Sequence, residues 1–206
     1  MHGFIDFITG SSEAAKDLRR KLVFKIVPMT NPDGVICGNY RTSLSGNDLN
    51  RQFLTPNPKL HPEICALRNL VSQINAKQLQ SEPIRAYMDI HGHSRKKSIF
   101  IYGPEYALYS DKYFKARMLP KLLDEASDMF RFHSCRFTVE AAKTRCARVV
   151  FNRDFNILNC FTLEASMFGY VDSQRCTKEL TMEDYISFGV KMAQTLKEYC
   201  DLIDDD

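Results

Sequence analysis

The residues best suited to chemistry stand at the end of an apolar segment, in Asp89-Ile90-His91-Gly92-His93. Residues 84–90 predict a buried strand that carries two imidazoles to its carboxyl end. In α/β proteins, ligands and metals collect at that edge of the sheet. A histidine there can bind zinc, but catalytic zinc takes three protein ligands and a water. The sequence therefore predicts a ligand or metal site here, whose chemistry depends on what other segments supply.

The elements that must position this site alternate along the chain. Apolar runs and β-branched residues predict strands, or short β-rich runs, over 22–29, 84–90, 98–102, 147–151 and 160–165. Apolar residues at helical spacing predict helices over 3–9, 61–79, 111–130 and 181–200. Strands separated by helices predict an α/β fold, a three-layer sandwich with a mixed, mostly parallel sheet between helices.

Composition limits the classes of function. With 206 residues, 44% of them hydrophobic, the chain is expected to form one domain over 1–203 with an acidic tail over 204–206. A net charge of +3 and the lack of an aromatic and basic platform argue against nucleic acid as a partner. No apolar run is long enough to cross a membrane. Seven cysteines without a CxxC pair fit a reducing, cytosolic compartment.

A long polar loop between the first predicted strand and the helix over 61–79 holds a second candidate group. It contains Asn39-Tyr40-Arg41 and Asp48-Leu49-Asn50-Arg51. Long irregular loops in compact domains usually carry function. Guanidinium and amide groups can together hold a carboxylate at two points. Alternatively, Arg41 and Arg51 are surface arginines that pair with nearby acids.

Five motifs in this order resemble the cytosolic carboxypeptidases, the deglutamylating branch of the zinc metallocarboxypeptidases. They are Asn31-Pro32-Asp33-Gly34, Gly38-Asn39-Tyr40-Arg41, Asp48-Leu49-Asn50-Arg51, Asp89-Ile90-His91-Gly92-His93-Ser94 and Thr162-Leu163-Glu164-Ala165-Ser166. The resemblance runs from about residue 3 to residue 170 and is specific because all five occur together. It implies that residues 1–203 form part of a carboxypeptidase catalytic domain, incomplete at its N-terminus.

The resemblance also implies catalytic roles. His91 matches a zinc ligand, and Glu164 matches the glutamate that takes a proton from zinc-bound water and passes it to the leaving amine. Arg41 matches the arginine that polarises the scissile carbonyl. General acid–base catalysis and stabilisation of the developing oxyanion are what peptide hydrolysis needs. Without the resemblance, Glu164 could be an ordinary residue at a strand end.

Substrate-binding roles are implied for the polar loop. Asn50 and Arg51 match the pair that grips a terminal carboxylate, and such a grip makes an exopeptidase because only a chain end offers that group. Asp48 matches a carboxylate that orients a zinc-binding histidine. His93, two residues after His91, is expected to be a loop or supporting histidine rather than a ligand.

Two basic clusters indicate an acidic substrate. One is Arg95-Lys96-Lys97, and the other comprises Lys143, Arg145, Arg148 and Arg153. The resemblance implies removal of glutamates from acidic protein C-terminal tails, polyglutamylated tubulin foremost, by a cytoplasmic and microtubule-associated enzyme. Lys143 and Arg148 are our choice for the residues that contact the substrate's glutamate side chain. Either cluster could instead be a solvated basic face.

One departure from the family pattern bears on activity. The first two zinc ligands of the family stand in a His-Pro-Gly-Glu motif that would precede Met1, so one expected ligand of three is present. Zinc affinity depends on converging ligands, and we therefore expect this form to be inactive. Two alternatives follow: a non-catalytic module for acidic C-terminal tails, or a thiol hydrolase that pairs a cysteine with His91 or His133.

Overall fold

The computed structural model describes residues 1–78 and 84–204. Its α-helices are α1 (His2–Thr9), α2 (Glu13–Lys21), α3 (Pro32–Ile36), α4 (Pro62–Gln78), α5 (Asp111–Ala126), α6 (Ala147–Phe155) and α7 (Met182–Asp204). Its strands are β1 (Tyr87–His93), β2 (Ile99–Tyr102), β3 (Cys160–Ser166), β4 (Tyr170–Val171) and β5 (Thr177–Lys178). Short 3-10 turns occur at Leu49–Arg51, Phe132–Ser134 and Ala141–Lys143. None of the helices described is both long and apolar enough to span a membrane.

A mixed sheet in the order β1-β3-β2 forms the centre of the fold. β1 pairs with β3 in parallel, with Tyr87 opposite Cys160 and His93 opposite Ser166. β2 pairs with the other side of β3 in the antiparallel direction. β4 and β5 make a separate antiparallel pair. This arrangement confirms the predicted α/β class with a mixed sheet.

The two faces of the sheet pack against different helices. The first face buries apolar side chains of alternate strand positions, among them Phe161 and Leu163, against α1, α5 and α7. The second face buries Cys160 and packs Tyr87 against α4 and α6. Because strand side chains alternate between faces, the polar residues of β1 and β3 lie on the second face, beyond the part that the helices cover.

The predicted strand over 22–29 is not a strand in the structure. Residues 22–27 have no regular secondary structure, and their side chains alternate between half-buried and exposed. Phe24 packs on the first-face core and makes an edge-on contact with Phe4, 5.7 Å between ring centroids. No described strand pairs with this segment. The side-chain pattern was thus recognised, but strand formation also requires a hydrogen-bonded neighbour.

The predicted β-rich run over 147–151 is also wrong, because these residues begin α6. Val149, Val150 and Phe151 favour strands intrinsically. In a helix, however, Ala147, Val150 and Phe151 share one face, and all three are fully buried against α4 and the sheet. The helix ends at Asn156 in the left-handed conformation. Tertiary burial outweighs β-propensity here.

The other boundaries differ by a few residues. β1 begins three residues later than predicted and continues through both histidines, because its ladder follows the position of β3. The predicted helix over 111–130 ends at Ala126 and accommodates Pro120 internally. α2 was not predicted, although Ser12 caps it by accepting a hydrogen bond from the Ala15 amide.

The C-terminal helix begins as predicted and ends later. The Thr181 hydroxyl accepts a hydrogen bond from the Asp184 amide and so caps α7. Its apolar side chains are unequally buried: Ala193 is fully buried, whereas Ile186, Val190 and Leu196 are half-buried. Of the predicted acidic tail, Asp204 belongs to α7, and residues 205–206 lie outside the described part of the chain.

The contact between α1 and α7 gives a test of the packing. A Cβ added at Gly189 would lie 2.7 Å from the Phe4 amide nitrogen and 3.2 Å from the Gly3 carbonyl carbon, both backbone atoms. Alanine would gain about 1 kcal/mol in helix propensity. Separating two packed helices should cost about 1–3 kcal/mol, so the clash prevails. We expect Gly189→Ala to lower the midpoint of chemical denaturation.

The control for this experiment is Ser187→Ala, which changes an exposed position two residues away on the same helix. That substitution should change the unfolding free energy by less than about 0.5 kcal/mol. Equal stability of the two variants would contradict the close approach of α1 to α7.

Candidate active site

The polar residues at the ends of β1 and β3 meet because of their register. His91 lies directly opposite Glu164, so their side chains project from the same face. The Nε2 atom of His91 lies 2.9 Å from Oδ2 of Asp89. Burial acts to lower the pKa of His91, but the hydrogen bond to Asp89 and the charges of Asp89 and Glu164 outweigh it and raise that pKa. The two carboxylates therefore favour the protonated imidazole.

Glu164 lies in a sheltered position beside the second histidine. Its side chain is 13% exposed, and Oε2 lies 3.5 Å from Nδ1 of His93. The His93 ring packs edge-on against Phe100, with ring centroids 5.1 Å apart. His93 thus lies beside the glutamate at the last position of β1, and its supporting role stays a prediction.

Asn50 connects the polar loop to the sheet and to α6. Its Nδ2 donates to Oδ2 of Asp89 at 3.2 Å and lies 3.3 Å from Nε2 of His91. Its Oδ1 accepts a hydrogen bond from the Ala147 amide at 3.1 Å, at the first residue of α6. One amide side chain therefore fixes three segments that are distant in sequence.

The remaining loop residues form an ionic group around Asp48. The Asp48 carboxylate lies 3.1 Å from Nη1 of Arg41 and 3.9 Å from Nη2 of Arg51, and it accepts a hydrogen bond from the Asn50 amide. Arg51 also donates to the Asn50 carbonyl and to Sγ of Cys146. The alternative of arginines paired with a nearby acid thus describes the contacts seen. The ion pairs of Asp48 are with arginines, and no histidine among the described residues pairs with it.

Arg148 is the least expected feature of the site. It lies in the first turn of α6, is 5% exposed, and holds its guanidinium 5.5 Å from the ring centroid of Tyr102. Its Nε has no hydrogen-bond partner, and no described carboxylate forms an ion pair with it. The hydroxyl of Thr162, which lies opposite Tyr102 in the sheet, is likewise buried and unpartnered. Buried polar groups normally have partners, so the unpartnered guanidinium and hydroxyl here are suited to an anionic ligand.

Tyr102 and Thr162 were not among the predicted site residues. Both could have been placed on this face by the period-two alternation that places Glu164 there. Lys143, also predicted to bind substrate, is half-buried at the end of a 3-10 turn three residues before Cys146. The roles of Glu164, Arg41, Asn50, Arg51, Lys143, Arg148 and Asp48 stay predictions. What the structure adds is their placement.

The described residues do not form a zinc site by themselves. They contain no group of three or more His, Cys, Asp or Glu side chains arranged to hold a metal ion. Nε2 of His91 lies 2.9 Å from Asp89, which leaves Nδ1 as the ring nitrogen that could bind a metal. His91 is thus a single candidate ligand among the described residues, and they do not supply the three protein ligands of a catalytic zinc.

The sequence model of the zinc carboxypeptidases matches residues 2–183, which is most of the chain. The chain belongs to the zinc carboxypeptidase family. It is 41% identical over 203 residues to cytosolic carboxypeptidase 2 of Homo sapiens, covering 98% of this chain and 22% of that protein. It is 38% identical over 206 residues to cytosolic carboxypeptidase 3 of Bos taurus, covering 98% and 20%. These matches confirm the resemblance to the cytosolic branch.

Solved structures support the fold of this family member. A metallo-carboxypeptidase from Burkholderia cenocepacia superposes with a TM-score of 0.81 at 21% identity, covering 98% of this chain and 52% of that chain. A metallo-carboxypeptidase from Pseudomonas aeruginosa in complex with (2-guanidinoethylmercapto)succinic acid gives a TM-score of 0.76 at 21% identity, with the same coverage. The chain spans about half of these structures and about a fifth of its curated relatives.

The cysteines of this carboxypeptidase-family chain argue against thiol chemistry. Burial raises the pKa of Cys146, although the adjacent Arg51 acts to lower it. Burial also raises the pKa of Cys135 to about 12 and that of Cys160 further. Cysteine nucleophiles need a lowered pKa, because the thiolate is the reactive form. Cys37 and Cys176 are exposed, but neither belongs to the site.

Alkylation of the native protein tests this conclusion. We expect iodoacetamide at neutral pH to label Cys37 and Cys176 first, as located by mass spectrometry of peptides, because these two thiols are exposed to the reagent. Cys135 and Cys160 should react only after unfolding. Labelling of Cys146 as fast as Cys37 would reveal an activated thiol beside Arg51 and revive the thiol hydrolase alternative.

Proposed function

We propose that this site is built to bind and hydrolyse the C-terminal residue of acidic protein tails, releasing glutamate. Family membership and the names of the cytosolic carboxypeptidase relatives support the reaction class. The observation that carries the preference for an acidic residue is Arg148, a buried guanidinium without a carboxylate partner. A glutamate side chain of the substrate would supply that partner.

Arg148 and its neighbours could bind both the side chain and the carboxylate of a C-terminal residue. Asn50 and Arg51 contact Ala147 and Cys146, which directly precede Arg148. An amide and a guanidinium at this place are suited to a terminal carboxylate. A residue bound there would offer its carboxylate to the loop and its side chain to Arg148, so exopeptidase selectivity and glutamate selectivity would come from adjacent groups.

The chemistry that we assign to the chain's own residues is proton transfer and charge stabilisation. Glu164, sheltered beside His93, would take a proton from the attacking water and give it to the leaving amine. Arg41, with its side chain 52% exposed, would turn from Asp48 to the carbonyl oxygen of the substrate. Both assignments follow the family motif.

A second candidate function is binding without hydrolysis. The observation in its favour is the lack of a three-ligand metal group in the described part of the chain. We propose that this 206-residue chain is inactive and still holds acidic C-terminal tails through Arg148, Asn50 and Arg51. Tubulin tails in the cytoplasm, near microtubules, are the partner that the family resemblance implies, and the cytosolic designation of the relatives supports the compartment.

Substitution of Arg148 tests whether this residue binds an acidic side chain of the substrate. We expect Arg148→Met to weaken binding of a glutamate-terminated peptide about 10- to 100-fold, because a charged hydrogen bond is lost. A glutamine-terminated peptide should bind both proteins equally. Stability should remain unchanged or rise, since an unpaired buried charge opposes folding. Fluorescence anisotropy and chemical denaturation measure the two effects.

The matched control is Arg68→Met, which removes a half-buried arginine that pairs with Asp154 at 3.1 Å. This variant should lose stability and keep its peptide affinity, the reverse of Arg148→Met. If Arg148→Met weakened the binding of both peptides equally, Arg148 would not contact the terminal side chain.

Metal analysis separates the two candidate functions. We expect elemental analysis of the purified chain to give far less than one zinc per molecule, and EDTA to leave the affinity for glutamate-terminated peptides unchanged, because His91 alone cannot hold the ion. Salt should weaken the binding, since charges carry it. Stoichiometric zinc with release of glutamate from the peptide would show that this chain is a complete enzyme.

A further inference from the structure

A cavity of about 850 Å³ lies outside the group of residues assigned to the candidate active site. Its cationic lining side chains are Lys96, Lys97, Arg131, Arg136 and Arg175. Only two acidic side chains, Asp124 and Asp172, line it. The lining therefore carries three more positive than negative side chains, five against two.

Both aspartates of the cavity contact lysines that do not line it. Asp172 lies 3.0 Å from Nζ of Lys178, and Asp124 lies 3.7 Å from Nζ of Lys121. In the described part of the chain, neither aspartate forms an ion pair with a cation of the lining, so the excess of positive side chains makes the potential inside positive.

Four of the five cations form no ion pair within the described chain: Lys96, Lys97, Arg131 and Arg175. Neutral groups position two of them. Nζ of Lys97 donates to the Thr177 hydroxyl at 2.9 Å, and Arg131 donates to the carbonyl of Val171. Their charges thus remain available to an anion from solution.

Hydrogen bonds within the loop fix the backbone on either side of Arg175. Oδ1 of Asp172 accepts hydrogen bonds from the amides of Gln174 and Cys176, at 2.9 and 2.8 Å. Between them, Arg175 has a φ of 63°, a left-handed conformation that a residue with a side chain adopts at a cost of about 1 kcal/mol. Holding an arginine in this conformation is typical of functional loops.

The cavity adjoins the candidate active site through the loops that leave β1 and β3. The Met167 amide donates to the His93 carbonyl at 2.9 Å, and the Ser98 amide donates to the Gly169 carbonyl at 2.7 Å, which binds the two loops together. Along the β1 loop, Lys96 reaches back towards the catalytic face: its Nζ lies 5.0 Å from the centre of the Phe100 ring.

The distance from the cavity to Glu164 is short enough for one peptide to cover. Phe100 packs on His93, which contacts Glu164 at 3.5 Å. Together with the contact of Lys96 on Phe100, these contacts place the ammonium group within about 15 Å of the Glu164 carboxylate, the length of four or five extended residues.

We propose that this cavity binds the carboxylate side chains of an acidic peptide about four or five residues before its C-terminus. The proposal rests on the proposed function, which places the C-terminal residue near Arg148 and Glu164. Separate lysine and arginine side chains suit a series of carboxylates on one chain. Phosphate sites commonly use the amides of a helix N-terminus, and none of the residues lining this cavity begins an α-helix. The cavity would make affinity depend on the length of the acidic tail.

The test uses two fluorescein-labelled peptides of about eight residues, long enough to reach from Glu164 into the cavity. One consists of glutamates throughout, and the other has glutamines at every position except the last. The double variant Lys97→Gln, Arg175→Gln removes two cavity charges. The amide introduced at position 97 can still form a hydrogen bond with Thr177, the partner of Lys97. We expect it to bind the all-glutamate peptide about three- to tenfold more weakly than the unchanged protein does at low salt. At high salt the difference in affinity should be smaller.

The matched control is Arg20→Gln, Lys25→Gln, which makes the same charge change at exposed positions outside the cavity. It should keep the affinity for both peptides. The cavity variant should likewise keep its affinity for the glutamine-rich peptide, because only upstream carboxylates reach the cavity. Equal losses in the cavity and control variants, or equal losses for both peptides, would overturn the proposal.

Two further measurements distinguish failure of the cavity proposal from failure of the proposed function. Arg148→Gln should weaken both peptides equally, since both end in glutamate; if it has no effect while the cavity variant does, the proposed function fails and the cavity still binds acidic chains. Inorganic pyrophosphate is the competing probe. Displacement of the peptide by pyrophosphate at lower concentration than by unlabelled all-glutamate peptide would mark a phosphate site and overturn the assignment.

Discussion

The parallel pairing of β1 with β3 is the constraint on which the site depends. The ladder aligns seven residues of each strand, and the register sets His91 opposite Glu164 and Asp89 opposite Thr162. A shift by one residue would turn the polar side chains towards the apolar core formed with α1, α5 and α7. The buried apolar positions of both strands therefore hold the polar face of the candidate site in place, and burial of hydrophobic surface is what orients the polar residues.

Asn50 extends that order from the sheet to the loop. A polar loop of this length would be held weakly by surface ion pairs such as that of Arg41 with Asp48. The amide of Asn50 instead reaches Asp89 on β1 and the first amide of α6, so the loop, the sheet and the helix of Arg148 are fixed relative to one another. The adjacent arginines then occupy defined positions because the backbone beneath them does.

The sequence predicted much of this arrangement, and the failures have physical causes. Alternation and helical periodicity placed β2, β3, α4 and α7 well, because burial decides those patterns. The run over 147–151 was misassigned because its β-branched residues pack better as one face of a helix. The segment over 22–29 has the side-chain pattern of a strand without a paired neighbour. The motifs brought the site residues to attention, but which atoms meet, such as Asp48 with two arginines, depends on tertiary geometry that spacing does not contain.

The isolation of Arg148 links occupancy of the site to the integrity of the fold. A guanidinium that is 5% exposed, with an unpartnered Nε, makes the empty protein less stable than it would be with an apolar residue there. A ligand that satisfies this charge binds the folded chain and not the unfolded one, so it shifts the folding equilibrium in proportion to its concentration. An acidic tail would thus act on this protein as a stabiliser, and the occupied population would outlast the empty one under heat or proteolysis.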